Sequence, residues 1–215
     1  MGRLKVEWDV LGEISTNCYY LINTENGEVI LVDPADNAVI IKNYCVSHNL
    51  NVKGILLTHG HFDHIMAADE LRTIFDVKIY AGADEKELLE DAAKNLSAAW
   101  AVPYTLKADV YLSDNEVFEL AGFSIKAIHT PGHTAGGMCY YIEDEKTLIS
   151  GDTLFCESCG RTDFPTSSIR KLIDSICGKL FKLPEDVKVY PGHDSETTIG
   201  YEKINNPMAR FLSNY

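Results

Sequence analysis

The sequence has little positive charge and no run of basic residues. It contains 19 Lys and Arg against 32 Asp and Glu, which gives a formal net charge of −13 at pH 7. Binding nucleic acid through its phosphates needs clustered Lys and Arg, and an anionic membrane surface repels an acidic chain. We therefore expect no nucleic acid and no membrane among the partners of this protein.

Long hydrophobic runs are also missing. The longest, such as 29–32 and 54–57, are far too short to span a bilayer. The first ten residues, MGRLKVEWDV, lack the apolar stretch of a secretory signal. Cysteines at 18, 45, 139, 156, 159 and 177 follow no regular disulfide spacing. These absences predict a cytoplasmic protein with reduced thiols.

The chain has no low-complexity tract, linker or repeat of fixed period. Its 215 residues are 46% hydrophobic and 24% charged, which is ordinary for a globular enzyme. Short β-rich runs alternate with helical stretches, including a continuous helix that we predict over 83–100 and another over 167–180. KGILLTH (53–59) reads as a strand buried on both faces. The pattern predicts an α/β fold with sheets covered by helices in a single domain, 1–215.

Histidine is scarce, yet three of the seven lie in THGHFDH at 58–64, just after this buried strand. A single loop histidine is usually solvated or hydrogen-bonded, but imidazoles clustered with a carboxylate are preferred ligands of zinc-like ions. Residues two apart on extended backbone point the same way. His59 and His61 are therefore expected to converge on one ion, while Asp63 and His64 face a second.

Three further candidate ligands follow predicted strands: His133 in HTPGHT, Asp152 in SGDTLF and His193 in YPGHD. Loops at strand ends can lift such side chains into a cleft. The two remaining histidines have a simpler interpretation. His48 lies near a helix end, and a structural hydrogen bond is expected for His129.

Together, THGHFDH, GH at 132–133, Asp152 in GDTLF and GH at 192–193 resemble the complete ligand series of the metallo-β-lactamase fold. The likeness covers nearly the whole chain and includes VDP (32–34) and TPGHT (130–134). Within that superfamily the sequence is most similar to compact bacterial glyoxalase II-like (hydroxyacylglutathione hydrolase-like) proteins, through GRTDFP (160–165), YPGHD and NP (206–207). The resemblance implies an αββα sandwich of two mixed β-sheets flanked by helices.

The resemblance also implies roles for seven residues. His59, His61 and His133 would hold one divalent metal ion; Asp63, His64 and His193 would hold a second, and Asp152 would bridge the two. Zinc is the expected metal, with iron or manganese as alternatives. Asp63 and Asp152 would also be the catalytic carboxylates that orient the nucleophile.

The implied activity is hydrolysis of a small thioester such as S-lactoylglutathione or a related acyl-thiol. A metal-bridging hydroxide would attack the carbonyl, and the thiolate would leave without a dedicated acid because thiols have a pKa of about 8.5. A monomer or homodimer is expected. Only residues 194–215 follow His193, so we do not expect the additional helical domain with which larger glyoxalase II enzymes contact glutathione.

Three other functions compete with this hypothesis. A mononuclear-iron persulfide dioxygenase on the same fold shares a GRTDF-like stretch and would use His59, His61 or its neighbours, His133 and Asp152. The intact second set of ligands favours the dinuclear hydrolase. A nuclease of the superfamily is disfavoured by the acidic charge and the lack of an insertion domain, and a non-enzymatic module would be expected to have broken ligands.

Residues beside these motifs allow more than one interpretation. Asp33 of VDP could orient a ligand histidine, but the favoured interpretation is a cap of the following turn. Arg161 could meet an anionic substrate, but a structural ion pair is favoured. Cys156 and Cys159 form a C-x-x-C with no second such pair in the chain, and we expect no functional role for them.

Overall fold

Residues 2–215 are described by a computed structural model of the chain. The structure contains two six-stranded sheets and a short hairpin. The strands are β1 Leu4–Leu11, β2 Thr16–Asn23, β3 Glu28–Val32, β4 Asn51–Leu56, β5 Ile79–Gly82, β6 Val110–Leu112, β7 Val117–Leu120, β8 Phe123–His129, β9 Met138–Ile142, β10 Thr147–Gly151, β11 Leu154–Phe155, β12 Ser158–Cys159, β13 Lys188–Pro191 and β14 Thr197–Thr198. The α-helices are α1 Ala38–Ser47, α2 Phe62–Ile65, α3 Ala68–Phe75, α4 Lys86–Leu89, α5 Ser97–Trp100, α6 Ile169–Gly178 and α7 Ile199–Asn205.

Both sheets are mixed. The first has the order β1-β2-β3-β4-β5-β6, in which β1 to β3 pair antiparallel and β3 to β6 pair parallel. The second has the order β14-β13-β10-β9-β8-β7, and its one parallel pair is β10 with β13. The parallel pairs matter for function because the carboxyl ends of parallel strands meet at the same edge of a sheet.

Alternating side chains divide the core into three layers. Tyr20 and Leu31 face the helices α1 and α3 on the outside of the first sheet. Tyr19 and Ile30, one position away in each strand, face the second sheet. Because successive strand residues point to opposite faces, strands covered on both sides are apolar throughout. This period-two pattern produces the predicted helix–sheet–sheet–helix sandwich.

The outer face of the second sheet is covered in the same way. Leu172 and Ile176 of α6 pack against Cys139, Leu148 and Val189 of the sheet. The helix begins after Ser168, whose hydroxyl accepts a hydrogen bond from the main chain of Lys171 and so caps the first turn. The helix predicted over 167–180 is thus confirmed, with its ends at Ile169 and Gly178.

The continuous helix predicted over 83–100 is wrong. A helical turn at Ala83–Glu85 leads into α4, which ends at Leu89, and helix resumes only at Ser97. Asn95 explains the break because it is buried, its side-chain oxygen accepts from Ser97 N (2.9 Å), and its amide donates to Tyr104 O (2.8 Å). These tertiary hydrogen bonds outweigh the helix propensity of the Ala- and Glu-rich sequence.

Among the described residues, none of the helices has the length and apolar character that a bilayer-spanning segment needs.

Candidate metal centre

Two pairs of parallel strands carry the predicted ligands to one end of the sandwich. In the first sheet, Asp33 follows β3 and the segment Thr58–His64 follows β4. In the second sheet, Asp152 directly follows β10 and His193 closely follows β13. His133 comes from the loop between β8 and β9. The structure therefore brings all seven predicted ligands together from four separate segments of the chain.

The first cluster consists of His59, His61 and His133. All three are buried, and their ligand atoms lie within 4.8 Å of one another. Nδ1 of His61 is 2.9 Å from Nε2 of His133. One zinc ion bound by both nitrogens would keep them about 3.3 Å apart, so this pair is already close to the spacing that an ion requires. Burial and the neighbouring imidazoles lower the pKa of His59 and His61, which favours the neutral, ligating form.

The second cluster consists of Asp63, His64 and His193. Oδ2 of Asp63 lies 3.4 Å from Nε2 of His64 and 3.4 Å from Nε2 of His193. Burial alone would raise the pKa of Asp63, but the charges of His64 and His193 hold it well below its usual range. Conversely, burial opposes the charged form of His64, but the surrounding carboxylates raise its pKa to about 10. The cluster therefore combines one carboxylate and two imidazoles.

Asp152 lies between the two clusters. Its Oδ2 is 3.4 Å from Nε2 of His133 in the first cluster and 3.6 Å from Nε2 of His193 in the second. Its Oδ1 is 3.5 Å from Nε2 of His64. A carboxylate whose oxygens lie near imidazoles of both clusters has the geometry of a bridging ligand.

Asp33 does not have the role that the sequence analysis favoured, which was to cap the following turn. Its carboxylate accepts hydrogen bonds from Thr58 N (2.7 Å), Thr58 Oγ1 (2.6 Å) and Nδ1 of His64 (2.9 Å), so it does not cap the turn that follows it. The exposed carboxylate of Asp36 accepts from the main chain of that turn instead. Asp33 also lies near His59 and His64 as a possible third ligand set. Because Thr58 occupies both of its oxygens, orientation of His64 is the better assignment.

The polar atoms that face the centre fit a bound cation. Nε2 of His59, Nε2 of His64 and Oδ1 of Asp152 are buried and have no hydrogen-bond partner among residues 2–215. Buried polar atoms without partners are rare and costly. Nitrogen and oxygen donors of this kind suit zinc, iron or manganese.

Gly192 allows two of these side chains to approach each other. A Cβ atom at this position would lie 2.2 Å from Oδ1 of Asp152 and 2.8 Å from Cε1 of His64. Any larger residue would push one of the two candidate ligands away. The glycine of YPGHD is therefore required by the packing of the centre.

The remaining predicted residues lie outside the two clusters. Nδ1 of His48 contacts Tyr44 O and Nε2 of His129 contacts Ala135 O, each at 2.9 Å, as structural histidines do. Arg161 forms the predicted ion pair through two hydrogen bonds to Asp163 (2.7 and 3.0 Å). Cys156 and Cys159 are free thiols.

A cavity of about 330 Å³ opens over the centre. Its lining includes candidate ligands from both clusters, the charged residues Arg161 and Asp194, and an apolar wall formed by Ile14, Phe62, Leu96, Trp100, Phe155 and Phe164. The ring of Phe164 stands edge-on to His61 and Trp100, and the Arg161 guanidinium stacks 4.3 Å from its centroid. Sequence reasoning missed this wall because its members come from separate segments of the chain and share no periodic pattern.

A family model described as the metallo-beta-lactamase superfamily matches residues 11–193, which is most of the chain. The protein therefore belongs to the metallo-β-lactamase superfamily, whose fold the two mixed sheets and flanking helices reproduce.

Relatives from two bacteria narrow the comparison. The chain is 37% identical to the probable metallo-hydrolase YqgX of Bacillus subtilis over 94% of this chain and 96% of that protein. It is 35% identical to the hydroxyacylglutathione hydrolase GloC of Haemophilus influenzae, covering 89% and 92% of the two chains.

Two solved structures are also similar. The crystal structure of the BLEG-1 B3 metallo-beta-lactamase superposes with a TM-score of 0.90 at 38% identity, over 97% of this chain and 100% of that one. The crystal structure of TTHA1623 in a di-iron-bound form superposes with a TM-score of 0.82 at 31% identity, over 94% of this chain and 99% of that one.

Proposed function

We propose that this protein is a dinuclear metal-dependent hydrolase of small thioesters such as S-lactoylglutathione. The observation that carries the proposal is the position of Asp152, whose oxygens lie 3.4 to 3.6 Å from imidazoles of two separate clusters. Two three-residue sets joined by one carboxylate make a pair of sites with room for water and substrate, as catalytic sites require.

The seven side chains would hold two divalent ions. His59, His61 and His133 would bind the first ion, Asp63, His64 and His193 the second, and Asp152 would contact both. Zinc suits the mixture of imidazole and carboxylate. Iron is the principal alternative because TTHA1623 was crystallised in a di-iron-bound form. When bound, such ions make water acidic enough to act as a nucleophile and polarise a carbonyl.

Asp63 and Asp152 would orient the water molecule that attacks the carbonyl. The hydroxyl of Thr16 donates to Oδ2 of Asp63 (3.0 Å), which holds this oxygen beside His64 and His193. Its Oδ1 is then available to accept a hydrogen bond from the attacking water. Because a thiolate is a good leaving group, the site needs no separate acid to protonate it.

The cavity would select the substrate by shape and polarity. Its apolar wall, which includes Trp100, Phe155 and Phe164, can cover the acyl chain and the methylene groups of a thiol. The name of the Haemophilus relative, hydroxyacylglutathione hydrolase, supports a hydroxyacyl thioester. We place the reaction in the cytoplasm, with the protein a monomer or homodimer of one domain.

β-Lactam hydrolysis is the second candidate, since the similar structure BLEG-1 is described as a B3 metallo-beta-lactamase. The two reactions differ in their leaving group. An amide nitrogen must be protonated before it departs, whereas a thiolate leaves as the anion. We rank thioester hydrolysis first because it requires no residue of the cavity to protonate the leaving group.

One set of measurements tests the proposal. Protein purified from its native host is analysed for metal and assayed with S-lactoylglutathione, with a chromogenic cephalosporin, and for oxygen uptake on glutathione persulfide. Two ions per chain and turnover of the thioester are expected. A single iron with oxygen uptake and no thioester turnover would instead identify a persulfide dioxygenase. Turnover of the cephalosporin alone would identify a lactamase.

A further inference from the structure

A buried carboxylate outside the two clusters connects the loops that carry the first cluster. Glu85 follows β5, in the short helical turn Ala83–Glu85, and is completely buried. Burial raises its pKa to about 7. A charge-bearing group in such a position is costly unless its hydrogen bonds are satisfied, and nothing in the proposed reaction uses it.

Glu85 accepts three hydrogen bonds. Its Oε1 accepts from Gly60 N (2.9 Å). Its Oε2 accepts from Thr134 Oγ1 (3.0 Å) and from Gly136 N (2.8 Å). All three partners are donors, so the carboxylate satisfies them fully and an amide in its place could not.

The donors belong to the loops that supply all three residues of the first cluster. Gly60 lies between His59 and His61, and Thr134 directly follows His133. The two loops meet at His61 and His133, which are 72 residues apart in the sequence. One side chain therefore joins both halves of the first cluster, while none of its three donors lies in a loop that carries Asp152 or His193.

Close packing holds this connection in place. A Cβ atom on Gly136 would lie 2.1 Å from the main-chain nitrogen of Glu85. The loop after His133 therefore rests directly on the backbone at Glu85, and neither can shift without the other.

We propose that Glu85 is a positioning residue that sets the distance between the His59–His61 loop and the His133 loop, and thereby the affinity of the first metal site. The inference rests on the proposed metal centre. It adds that the distance between the two loops of the first site is set by one side chain that itself binds no metal. The second site is expected to depend on it much less, because Asp63 and His64 share the segment of Gly60 but Asp152 and His193 do not.

The test uses Glu85→Gln in two backgrounds of the full chain. His193→Ala leaves the first site intact, and His61→Ala leaves the second. Zinc affinity is measured by competition with a chromophoric chelator, and the cobalt(II) absorption spectrum reports ligand geometry. We expect Glu85→Gln to weaken zinc binding about 10- to 100-fold in the His193→Ala background, as loss of a residue that orients ligands does. In the His61→Ala background the change should stay within about threefold, by the same principle.

Glu202→Gln is the matched control. Glu202 is also completely buried and accepts three hydrogen bonds, from Glu157 N, Thr197 Oγ1 and Asn206 Nδ2, none of which belongs to a candidate ligand. Its replacement should lower thermal stability as Glu85→Gln does, but leave zinc affinity and the cobalt spectrum of both sites unchanged. This comparison separates positioning from a general loss of stability.

Several outcomes would overturn the proposal. Unchanged zinc affinity of the first site after Glu85→Gln is one, and an equal loss at both sites is another. If Glu85→Gln does not fold, the test uses Thr134→Val, which removes one of the three donors. A threefold or larger loss of zinc affinity confined to the first site then supports the proposal, and unchanged zinc affinity refutes it. Wild-type protein that binds two ions but hydrolyses no thioester would refute the proposed function alone. Failure of the wild type to bind metal would refute both.

Discussion

The orientation of three imidazoles at this centre is set by the atom that the second nitrogen of each ring contacts. Nδ1 of His64 donates to Asp33 Oδ2 (2.9 Å), and Nδ1 of His133 donates to Arg161 O (2.8 Å). Nδ1 of His193 lies 3.3 Å from Ser15 O. With one proton held on Nδ1, Nε2 of each of these rings faces the centre, where a bound metal ion would displace any proton that this nitrogen carries.

Asp33 is the clearest test of this residue-scale organisation. Because all three partners of its carboxylate donate hydrogen bonds, the amide of Asp33→Asn would face a donor at either oxygen position. We expect a 10- to 100-fold loss of zinc affinity at the second site, about the usual effect of losing such a partner. Chelator competition in the His61→Ala background measures it. Asp36→Asn, an exposed aspartate in the same turn, should change nothing. Equal affinities of the two variants would argue that Asp33 does not orient His64.

Asp152 tests the link between the two sites. Asp152→Ala removes a carboxylate whose oxygens lie 3.4 to 3.6 Å from imidazoles of both clusters. Thioester hydrolysis should fall by at least about 100-fold, and at least one ion should be lost, because the carboxylate contributes to both binding and catalysis. Activity assays and metal analysis measure the two effects. Asp186→Ala, which removes an exposed partner of Lys146, is the control. If the variant kept both ions and hydrolysed the thioester at the wild-type rate, the bridging assignment would be wrong.

At the scale of secondary structure, the break between α4 and α5 serves the site. The main-chain oxygen of Asn95 accepts from Phe62 N (2.9 Å), which connects the break to the helical turn that carries Asp63 and His64. The break also places Leu96 and Trp100 in the cavity wall. A continuous helix would have supplied neither contact.

Asn95→Ala should therefore affect both stability and substrate binding. It leaves Ser97 N without its side-chain partner and Tyr104 O with the Ser97 hydroxyl alone, and each lost buried hydrogen bond costs about 1–3 kcal/mol. We expect the free energy of unfolding to fall by about 2–4 kcal/mol on that basis, with a higher KM because Trp100 loses its anchor. Urea unfolding and steady-state kinetics are the measurements. A stability loss without any rise in KM would mean that the break does not position the cavity wall.

A second local contact predicts a dependence on pH. Lys179 Nζ donates to Asp114 Oδ2 (2.9 Å) and His129 O (2.6 Å), and His129 N donates to Asp114 Oδ1 (2.8 Å). Burial alone would raise the pKa of Asp114, but Lys179 and the main chain of His129 lower it below 3.8. The stabilisation is therefore present at neutral pH and is lost as the pH falls through the lowered pKa.

Asp114→Asn keeps the acceptor for His129 N but removes the charge. Because the pair is partly exposed, we expect a loss of about 0.2–1 kcal/mol at pH 7. This difference between wild type and variant should shrink below about pH 4, as Asp114 of the wild type begins to be protonated. Urea unfolding of chelator-treated protein from pH 7 to pH 3 measures it. A difference that stays constant over this range would exclude the ion pair as its cause.

For the whole molecule, the sequence was sufficient where one local rule decides the structure. A continuous apolar run predicted the buried strand of KGILLTH, and the donor chemistry of imidazole and carboxylate indicated His59 and its six companions as candidate ligands. Sequence reasoning failed where contacts distant in the chain decide. Asn95 overrides helix propensity through Tyr104, and Asp33 contacts His64 across 31 residues. Glu85 carries no motif, and its role depends on two loops that meet only in the folded protein.

Because the candidate ligands come from both sheets, we expect bound metal to stabilise the whole molecule. His59, His61, Asp63 and His64 follow a strand of the first sheet, whereas Asp152 and His193 follow strands of the second. Ions bound by both sets would connect the sheets at one end of the sandwich. Unfolding would then have to release those ions, since the unfolded chain does not assemble the site.

Removal of metal should therefore lower the melting temperature strongly. Two ions present at about 1,000 times their dissociation constants stabilise the folded state by about 8 kcal/mol together. For a protein of this size that corresponds to about 15–30 °C. Calorimetry before and after dialysis against a chelator, followed by restoration with zinc, measures the shift. Asp152→Ala should show a smaller shift because it binds fewer ions. If chelation left the melting temperature of the wild type unchanged while activity was lost, the ions would be catalytic without connecting the two sheets.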